Sequence, residues 1–244
     1  MMRIEQNRLD TFINILKALV PECKMMINAD GWNTAATDTA NVAMVVATLP
    51  ATAFAEYTVT DKTEIGFDVP KWANMLKVMH DPKSTITIDR QENGRFKVSD
   101  SSYTYTHTPL DPNTVRKRPN IPIINLPATV VINPAELAEV IKAMAVIGDK
   151  ARFTVGRDGL ELAAEGDTDK LRKTLEKKDG STHPEQPVSS LFSLDYMKDI
   201  TRAMKGAATV SVHAGQDHPI RFDFEIEGIE ASFLVAPRIE QEGG

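Results

Sequence analysis

Apolar residues recur at helical spacing in two stretches of the chain that match each other. The first stretch contains Leu9, Phe12, Ile13, Leu16 and Leu19. The second contains Leu137, Val140, Ile141, Met144 and Ile147, each 128 positions after its counterpart. This spacing is that of the buried stripe of an amphipathic helix. An Asp-Gly pair follows each stripe at the same distance and predicts a β-hairpin.

The match between the two halves continues through later segments with β-strand character. The paired segments are Thr85–Ile88 with Thr209–Val212, Phe96 and Val98 with Phe224 and Ile226, and Tyr105 and Pro109 with Phe233 and Pro237. Chance could give one such coincidence but hardly all of them in one order. We therefore expect two copies of one domain.

Hydrophobic periodicity and capping residues predict an α+β chain with four helices. The predicted helices span 8–20, 69–79, 134–147 and 195–205. Asp68, Asn133 and Ser193 are expected N-caps, because short polar side chains accept hydrogen bonds from the first turn of a helix. The predicted strands of the first half span 2–7, 24–29, 32–37, 41–49, 57–67, 84–89, 95–100 and 102–109, with equivalents in the second half.

A proline-rich segment separates the two predicted domains. Residues 111–127 hold four prolines, which excludes a helix or a central strand and predicts an extended connector. The predicted boundaries are therefore 1–110 for the first domain, 111–127 for the connector and 128–244 for the second domain. The apolar second half of the connector indicates that it packs on its own domains or offers a docking surface.

The composition limits the classes of protein to which the chain can belong. The 244 residues are 42% hydrophobic and 25% charged, with a net charge of −6, which fits an average globular chain. No apolar run approaches the length of a membrane span, and the N-terminus lacks the apolar core of a signal peptide. A single cysteine, Cys23, fits a reducing compartment and is expected to be a small buried hydrophobe. Acidic net charge argues against a surface covered by nucleic acid, but local basic stripes remain compatible with it.

Catalytic and metal-binding patterns do not emerge from the sequence. The histidines are His80, His107, His183, His213 and His218. They lack ligand spacing, so we expect each on the surface or in a loop. No phosphate-binding glycine loop, paired-cysteine site or nucleophile elbow is recognisable. The expectation is a protein that is not an enzyme and has no metal or cofactor. A hydrolase or transferase on a duplicated α+β scaffold stays open as a different class.

The C-terminal segment Phe233-Leu234-Val235-Ala236-Pro237-Arg238-Ile239-Glu240 resembles the closing signature of the proliferating cell nuclear antigen family of DNA sliding clamps. The segments Asp30–Met44 and Ile147–Asp149 support this resemblance, which covers essentially the whole chain. The resemblance implies two duplicated clamp domains, each with two helices packed on antiparallel sheets, in a chain that assembles into a closed trimeric ring. It also implies a DNA polymerase processivity factor, which encircles duplex DNA without reading its sequence and tethers replication and repair proteins. An alternative is a specialised subunit of a heterotrimeric or checkpoint ring.

The resemblance places all four helices around the central hole, which turns their basic residues into DNA-facing candidates. These are Arg8, Lys17, Lys71, Lys77, Lys142, Lys150, Lys198, Arg202 and Lys205. Lys and Arg attract phosphates without base recognition, as sliding requires. We expect the third helix to contribute weakly, because Glu136 and Glu139 offset Lys142.

The resemblance also implies a pocket for short hydrophobic peptides of partner proteins beneath the connector. Its residues here are Val42, Met44, Ile121, Pro122, Leu126, Pro219, Leu234, Ala236 and Pro237. By pattern alone, Val42 and Met44 are equally compatible with ordinary strand core. Leu126 and Leu234 replace tyrosines that are common in the family, and residues 116–118 make a usually acidic connector basic.

Subunits of the family join by antiparallel pairing of edge strands from different domains. The corresponding segments here are 103–107, with Tyr103, Tyr105 and His107, and 170–177, with Leu171, Lys173 and Leu175. The second segment has helical propensity by itself, and only the resemblance makes it a strand.

The partners implied are double-stranded DNA, two further copies of the chain, and proteins of the DNA polymerase, clamp loader, flap nuclease and ligase type. No membrane contact is expected. The implied location is cytoplasmic and nucleoid-associated, or nuclear if the source is eukaryotic.

Overall fold

The computed structural model describes residues 1–79, 81, 83–182 and 184–239, which divide into two units. Unit 1 comprises Met1–Thr39, Val45–Ile121 and Glu227–Ala231, and unit 2 comprises Ala40–Met44, Pro122–Ile226 and the chain from Ser232. The division after Ile121 falls inside the predicted connector. The boundaries 1–110, 111–127 and 128–244 stay a prediction.

Among its described residues, the first half of the chain contains two helices and nine strands. In order these are β1 (Met2–Glu5), α1 (Gln6–Lys17), β2 (Glu22–Asn28), β3 (Gly31–Thr37), β4 (Ala43–Pro50), β5 (Glu56–Tyr57), β6 (Thr63–Asp68), α2 (Val69–Val78), β7 (Thr85–Arg90), β8 (Phe96–Ser99) and β9 (Thr104–His107). A single 3-10 turn at Ala51–Ala53 follows β4.

The second half, as far as the structure describes it, repeats this order with two helices and eight strands. These are β10 (Ala128–Ile132), α3 (Pro134–Ile147), β11 (Lys150–Gly156), β12 (Gly159–Glu165), β13 (Lys170–Glu176), β14 (Val188–Ser193), α4 (Leu194–Met204), β15 (Val210–Ala214), β16 (Ile220–Ile226) and β17 (Ile229–Val235).

Strand order confirms the duplication that the sequence predicts. In the first half β4-β3-β2-β6 lie side by side, and in the second half β13-β12-β11-β14 lie in the equivalent order. Likewise β1-β7-β8-β9 corresponds to β10-β15-β16-β17, with β5 added beside β1. The segments matched in sequence, such as 85–88 and 209–212, fall in equivalent strands.

The helix starts follow the capping residues with one exception. Asp68 Oδ1 accepts a hydrogen bond from the backbone N–H of Lys71 at 2.9 Å, and Asn133 Oδ1 accepts one from Ala135 at 2.9 Å. Ser193 occupies the N-cap position of α4, but its side chain makes no capping hydrogen bond. Helix α1 begins at Gln6, two residues earlier than predicted, because the chain turns directly out of β1.

Each unit buries an aromatic cluster beneath its helices. In unit 1, Trp72 of α2 stacks on Phe67 with ring centroids 5.2 Å apart and meets Trp32 edge-on at 5.8 Å. In unit 2, Phe153 and Phe192 meet edge-on at 5.3 Å. Aromatic pairs in these geometries add to the free energy gained by burial. The clusters pack the helices against the sheets. The opposite face of each helix stays exposed.

Cys23 is buried on β2, as the sequence predicts. Burial raises the pKa of its thiol to about 11, because a thiolate is poorly solvated there. The side chain is therefore a small core residue with little thiolate character at neutral pH.

The Asp-Gly pairs lie at two equivalent hairpins but not at the centres of the turns. Asn28 pairs with Gly31, and Gly156 pairs with Gly159, so each glycine begins the returning strand. Gly31 has φ +129° and Gly159 has φ +133°. A Cβ atom at Gly159 would overlap the carbonyl oxygen of Leu175. Glycine is therefore required both by its backbone conformation and by close strand approach.

Gly159→Ala is expected to lower the free energy of unfolding by roughly 3 kcal/mol, because strain and a backbone clash act together. Gly180→Ala is the matched control: Gly180 also has positive φ, but a Cβ there meets only the Val131 side chain at 3.7 Å. We expect its cost to be about 1 kcal/mol. Chemical denaturation of both variants measures the difference, and equal losses would contradict the close-approach explanation.

Candidate DNA-facing, partner-binding and subunit-contact surfaces

The exposed face of the helices in unit 1 carries three of the predicted DNA-facing cations. Helices α1 and α2 pack against each other. Lys17, Lys71 and Lys77 are exposed on the sides away from the buried apolar stripes. Exposed Asn14 and Asn74 share these faces with the lysines. The face is mildly positive and polar.

In unit 2 the cations concentrate on α4. Lys198, Arg202 and Lys205 are exposed on α4 or at its C-terminal end, opposite the buried Met197, Ile200 and Met204. Arg202 makes an exposed i,i+3 pair with Asp199 at 3.4 Å. Such a pair contributes little and leaves the arginine accessible.

Helix α3 presents a face of mixed character. Its Lys142 is exposed, and so are Glu136, Glu139 and Val146. Acidic residues therefore outnumber the lysine on this face.

Two of the predicted DNA-facing residues differ from the others in placement. Arg8 is half-buried, and its guanidinium donates to the backbone carbonyl of Ala53 at 2.6 Å. Lys150 begins β11, where it pairs with Ser193 and lines a depression on the sheet. The sequence grouped both residues with the cations of the helices. In the structure, Arg8 is hydrogen-bonded to a backbone carbonyl, and Lys150 lies on a strand.

The predicted peptide pocket draws eight of its nine residues from unit 2. The backbone N–H of Ala236 donates to the carbonyl of Val42 at 2.8 Å, which brings these two segments together. Val42, Leu126, Pro219, Leu234, Ala236 and Pro237 are half-buried, and Met44 is buried. Pro122 is exposed. Partial exposure of apolar side chains is compatible with a docking surface.

The remaining pocket residue, Ile121, is the last residue of the unit 1 stretch Val45–Ile121 and is 54% exposed. Ile123, two residues later in the connector, is fully exposed. The connector therefore offers apolar side chains that no described part of its own unit covers.

The two segments expected to join subunits are both edge strands of their sheets in the described part of the chain. Strand β9 pairs with β8, and β13 pairs with β12. Tyr103 and Tyr105 are 46% and 40% exposed. Segment 170–176 forms a strand despite its helical propensity, because pairing along seven positions of β12 outweighs the local preference.

Side chains on these edge strands do not all face outwards. Lys173 is exposed and Leu171 is half-buried, but Leu175 and His107 are 1% exposed. Leu175 and His107 can therefore contribute only their backbone to strand pairing. The prediction that every histidine lies on the surface or in a loop is wrong for His107, whose ring contacts Trp72 edge-on at 5.3 Å.

His213 also departs from the surface or loop prediction. It lies half-buried on β15, with Nδ1 2.9 Å from Thr129 Oγ1 and Nε2 3.0 Å from an Asp223 carboxylate oxygen. His218 is exposed in the loop before β16, as expected. His80, His183 and Glu240 lie outside the described residues.

His107 is expected to make stability depend on pH between 4 and 6.5. Burial, together with nearby Lys71, lowers its pKa to about 4. As pH falls below 6.5, the unfolded chain gains a proton that the native His107 does not, so the free energy of unfolding falls. His107→Phe removes this titration. The loss of stability between pH 7 and pH 5 should be about 1–2 kcal/mol smaller in the variant. The free energy of unfolding of both proteins is measured by chemical denaturation at pH 7 and pH 5. Equal losses in the two proteins would contradict the prediction.

Asp223 organises a polar network across β15, β16 and β17. Its carboxylate accepts hydrogen bonds from Arg221, His213 and Ser232. Burial by itself would raise the pKa of Asp223, but these donors outweigh burial and hold the pKa well below its usual range. The carboxylate therefore stays ionised and serves as a structural acceptor. No sequence pattern indicated this network, because its members come together only when the strands pair.

Arg116 and Arg118 of the basic connector are anchored to unit 1. The Arg116 guanidinium donates to the carbonyl of Asp38 at 2.6 Å, and that of Arg118 donates to Asn33 Oδ1 at 2.7 Å. Both arginines hold the start of the connector in place, a role that the sequence did not indicate. Beyond Asp38 the loop contains Asn41 with φ +57°, just before Val42 of the pocket.

The described residues hold neither a cluster of metal ligands nor a membrane-spanning helix. Among them, no three His, Cys, Asp or Glu side chains gather in a way that could hold a metal ion. No helix in the same part of the chain is both long and apolar enough to span a membrane.

Comparison with known families gives two matches that together span most of the chain. The profile of the proliferating cell nuclear antigen N-terminal domain matches residues 3–99, and that of the C-terminal domain matches residues 120–239. The chain belongs to the proliferating cell nuclear antigen family. The order of the two matches agrees with the duplicated strand order.

Relatives and solved structures of the family extend over nearly the full length. The "DNA polymerase sliding clamp" of Methanoregula boonei is 41% identical over 235 residues, and that of Methanospirillum hungatei is 38% identical over 235, with 94% of both chains covered in each case. The structure of "A. fulgidus PCNA" with the C-terminal region of FEN-1 has a TM-score of 0.90 at 27% identity, covering 99% of both chains.

These matches confirm three predictions from the sequence. The family is the one that the closing segment 233–240 indicated, and the fold is the duplicated α+β fold with four helices and antiparallel sheets. The function is that of a DNA polymerase sliding clamp, a processivity factor. The alternative of a specialised checkpoint or heterotrimer subunit is not favoured.

Proposed function

We propose that three copies of this chain close head-to-tail into a ring that encircles duplex DNA. The observation that carries the proposal is that each unit ends one sheet in an edge strand, β9 in unit 1 and β13 in unit 2. Pairing of β9 from one subunit with β13 from the next is a heterologous contact, and such a contact closes into a ring when its rotation is suitable. Family membership supports three subunits.

In this ring the helix faces point at the duplex. Lys17, Lys71 and Lys77 of unit 1 and Lys142, Lys198, Arg202 and Lys205 of unit 2 supply the positive charge. Lysine and arginine attract phosphates regardless of sequence, which permits sliding. The chain as a whole carries a charge of −6, so the attraction to DNA comes from the helix faces alone. The closed ring, rather than this charge, keeps the protein on the duplex.

The pocket built from Val42, Met44, Leu234 and their neighbours is proposed to bind hydrophobic anchors of partner peptides. Its half-buried apolar side chains provide area that a peptide can cover. The structural relative from A. fulgidus is bound to the C-terminal region of FEN-1. By the same surface, this chain would tether proteins of the DNA polymerase, clamp loader, flap nuclease and ligase type.

The chain is also proposed to have no catalysis of its own. The carboxylate with the most strongly lowered pKa, Asp223, is occupied by three donors within its sheet, and His107 is packed against Trp72. A clamp acts on chromosomal DNA, so we place the protein with the nucleoid, or in the nucleus if the source is eukaryotic.

Mass measurement on the chain expressed alone tests the ring. The proposal expects a particle of three 26.9-kDa chains over a wide concentration range. Monomers that trimerise only when a paralogue is added would favour the heterotrimeric alternative, and monomers under all conditions would overturn the ring.

A further inference from the structure

His218 lies at the edge of the proposed peptide pocket. The next residue in the chain, Pro219, belongs to the pocket and directly precedes β16, and the pocket residue Ala236 directly follows β17. Strands β16 and β17 are neighbours in their sheet and are joined by a two-residue turn. Such a connection makes an antiparallel hairpin. The start of β16 and the end of β17 therefore lie at the same end of the hairpin, which brings His218 to the side of the pocket formed by Ala236.

The side chain of His218 is also close to Leu126, the pocket residue contributed by the connector. Gly215 lies between the two side chains. A Cβ atom at Gly215 would lie 3.3 Å from His218 Cγ and 3.5 Å from Leu126 Cδ2. Both distances are measured from one point, so the imidazole ring and Leu126 are no farther apart than the sum of the two. The ring therefore borders the apolar surface of the pocket.

One nitrogen of the His218 imidazole is engaged within its own loop. Nδ1 lies 2.6 Å from the carbonyl oxygen of Gln216. A carbonyl oxygen only accepts hydrogen bonds, so Nδ1 carries the hydrogen and donates it. In the neutral imidazole the other nitrogen, Nε2, then has no hydrogen and is an acceptor. The neighbouring Asp217 carboxylate accepts from Gln216 Nε2 at 2.9 Å.

The loop that carries His218 is held on β14. The backbone N–H of Asp217 donates to the carbonyl of Ser189 at 3.0 Å. Ser190 Oγ donates towards the carbonyls of Gly215 and His218, at 3.1 Å and 3.2 Å. The imidazole is therefore held in place at both its backbone and Nδ1. It is exposed, and no described residue pairs with its Nε2.

We propose that Nε2 of His218 accepts a hydrogen bond from a hydroxyl group of the partner peptide. The inference rests on the proposed peptide pocket and adds a polar determinant to its apolar ones. A peptide that covers Nε2 without offering a donor leaves the nitrogen unpaired, which costs free energy. Tyrosine and threonine combine an apolar body, which the pocket can cover, with a hydroxyl donor at its edge. A carboxylate at the same place offers acceptors only and is disfavoured.

Pairs of synthetic peptides with one hydrophobic core test the proposal on the unmodified protein. At each position in turn, threonine is exchanged for valine, or tyrosine for phenylalanine. The members of each pair have nearly the same shape and differ in the hydroxyl group. Fluorescence anisotropy is measured at about pH 8, where surface histidines are neutral. At one position the hydroxyl peptide should bind roughly fivefold more tightly than its partner.

Three variants assign this preference to His218. His218→Phe should abolish the preference, because the phenyl ring covers a similar surface and offers no acceptor. His218→Gln should retain part of it, since the amide oxygen of glutamine is also an acceptor. Asn125→Ala is the matched control, because Asn125 is exposed next to Leu126 on the connector, and loss of its amide should leave the preference unchanged. Mass and thermal unfolding of all three variants check that the fold and assembly are retained.

The proposal is supported if the preference is present in the unmodified protein, is lost in His218→Phe and is kept in Asn125→Ala. Equal binding of both members of every peptide pair overturns the hydroxyl contact and leaves the pocket intact. A preference that survives in His218→Phe, or that disappears in Asn125→Ala, places the contact elsewhere and overturns the assignment to His218. Failure of every peptide to bind overturns the pocket itself, together with this inference.

Discussion

Val146→Asp is expected to convert the ring into single subunits. Val146 lies on α3 and is 85% exposed, although it is a β-branched apolar residue. Helix α3 contacts β13, the edge strand of its unit. In unit 1, α2 lies beneath the other edge strand, because Trp72 of α2 contacts His107 of β9. Pairing of β9 with β13 would therefore bring α3 of one subunit to α2 of the next.

The exposed large apolar residue of α2 is Val78, which ends the helix and is 54% exposed, and we expect it to meet Val146 of the next subunit. Burial of two valines against each other is favourable, whereas burial of an unpaired carboxylate costs several kcal/mol. We expect the subunit dissociation constant to rise by about a hundredfold or more. Because Val146 is exposed within its own subunit, thermal unfolding of the isolated subunit should change little.

Ile123→Asp is the matched control for this prediction. Ile123 is fully exposed and equally apolar, but it lies on the connector. Sedimentation of both variants over a dilution series should give monomers for Val146→Asp and trimers for Ile123→Asp. Trimers in both cases would contradict a helix contact beneath the paired strands.

Neutralising the three cations of α4 is expected to weaken the attraction of the ring to DNA. The change is Lys198→Gln, Arg202→Gln and Lys205→Gln in each subunit. All three side chains are exposed, so the fold should be unaffected. Removing one phosphate-binding cation lowers the salt dependence of binding by about one unit of slope. We expect affinity for a short duplex to fall more than tenfold near 100 mM salt, with a slope lower by about three for each subunit whose α4 contacts the duplex.

The control removes the same charge from loops rather than from a helix. It combines Lys62→Gln, Arg157→Gln and Lys178→Gln, which are exposed in the described structure. Anisotropy titrations over a salt series should leave the slope of this variant unchanged. Equal decreases in both triple variants would show that net charge, not position, governs binding.

Most of the fold could be predicted from the sequence because the repeat presents each element twice. The stripe from Leu9 to Leu19 and its partner from Leu137 to Ile147 predict α1 and α3, since helical periodicity depends only on local spacing. Segment 170–177 could not be predicted locally. Its strand conformation depends on pairing with β12, which lies nearby only after folding.

The surfaces were harder to predict than the elements. Sequence spacing placed Lys150 with the helical cations, because it closely follows α3, but strand register turns it onto the sheet. The burial of His107 depends on Trp72, which lies 35 positions earlier in the chain. The anchoring of Arg116 on Asp38 is equally long-range. Contacts between distant segments do not produce a periodic pattern in the sequence, so they could not be predicted from it.

Topological retention on DNA tests encirclement most directly. A ring of this chain is placed on a nicked circular plasmid by a clamp loader, and the plasmid is then washed at high salt, which screens the attraction of the helix cations. The account predicts that the ring stays on the circle and escapes once a single cut linearises it. Equal loss from circular and linear plasmid would show that the protein is held by charge alone and does not enclose the duplex.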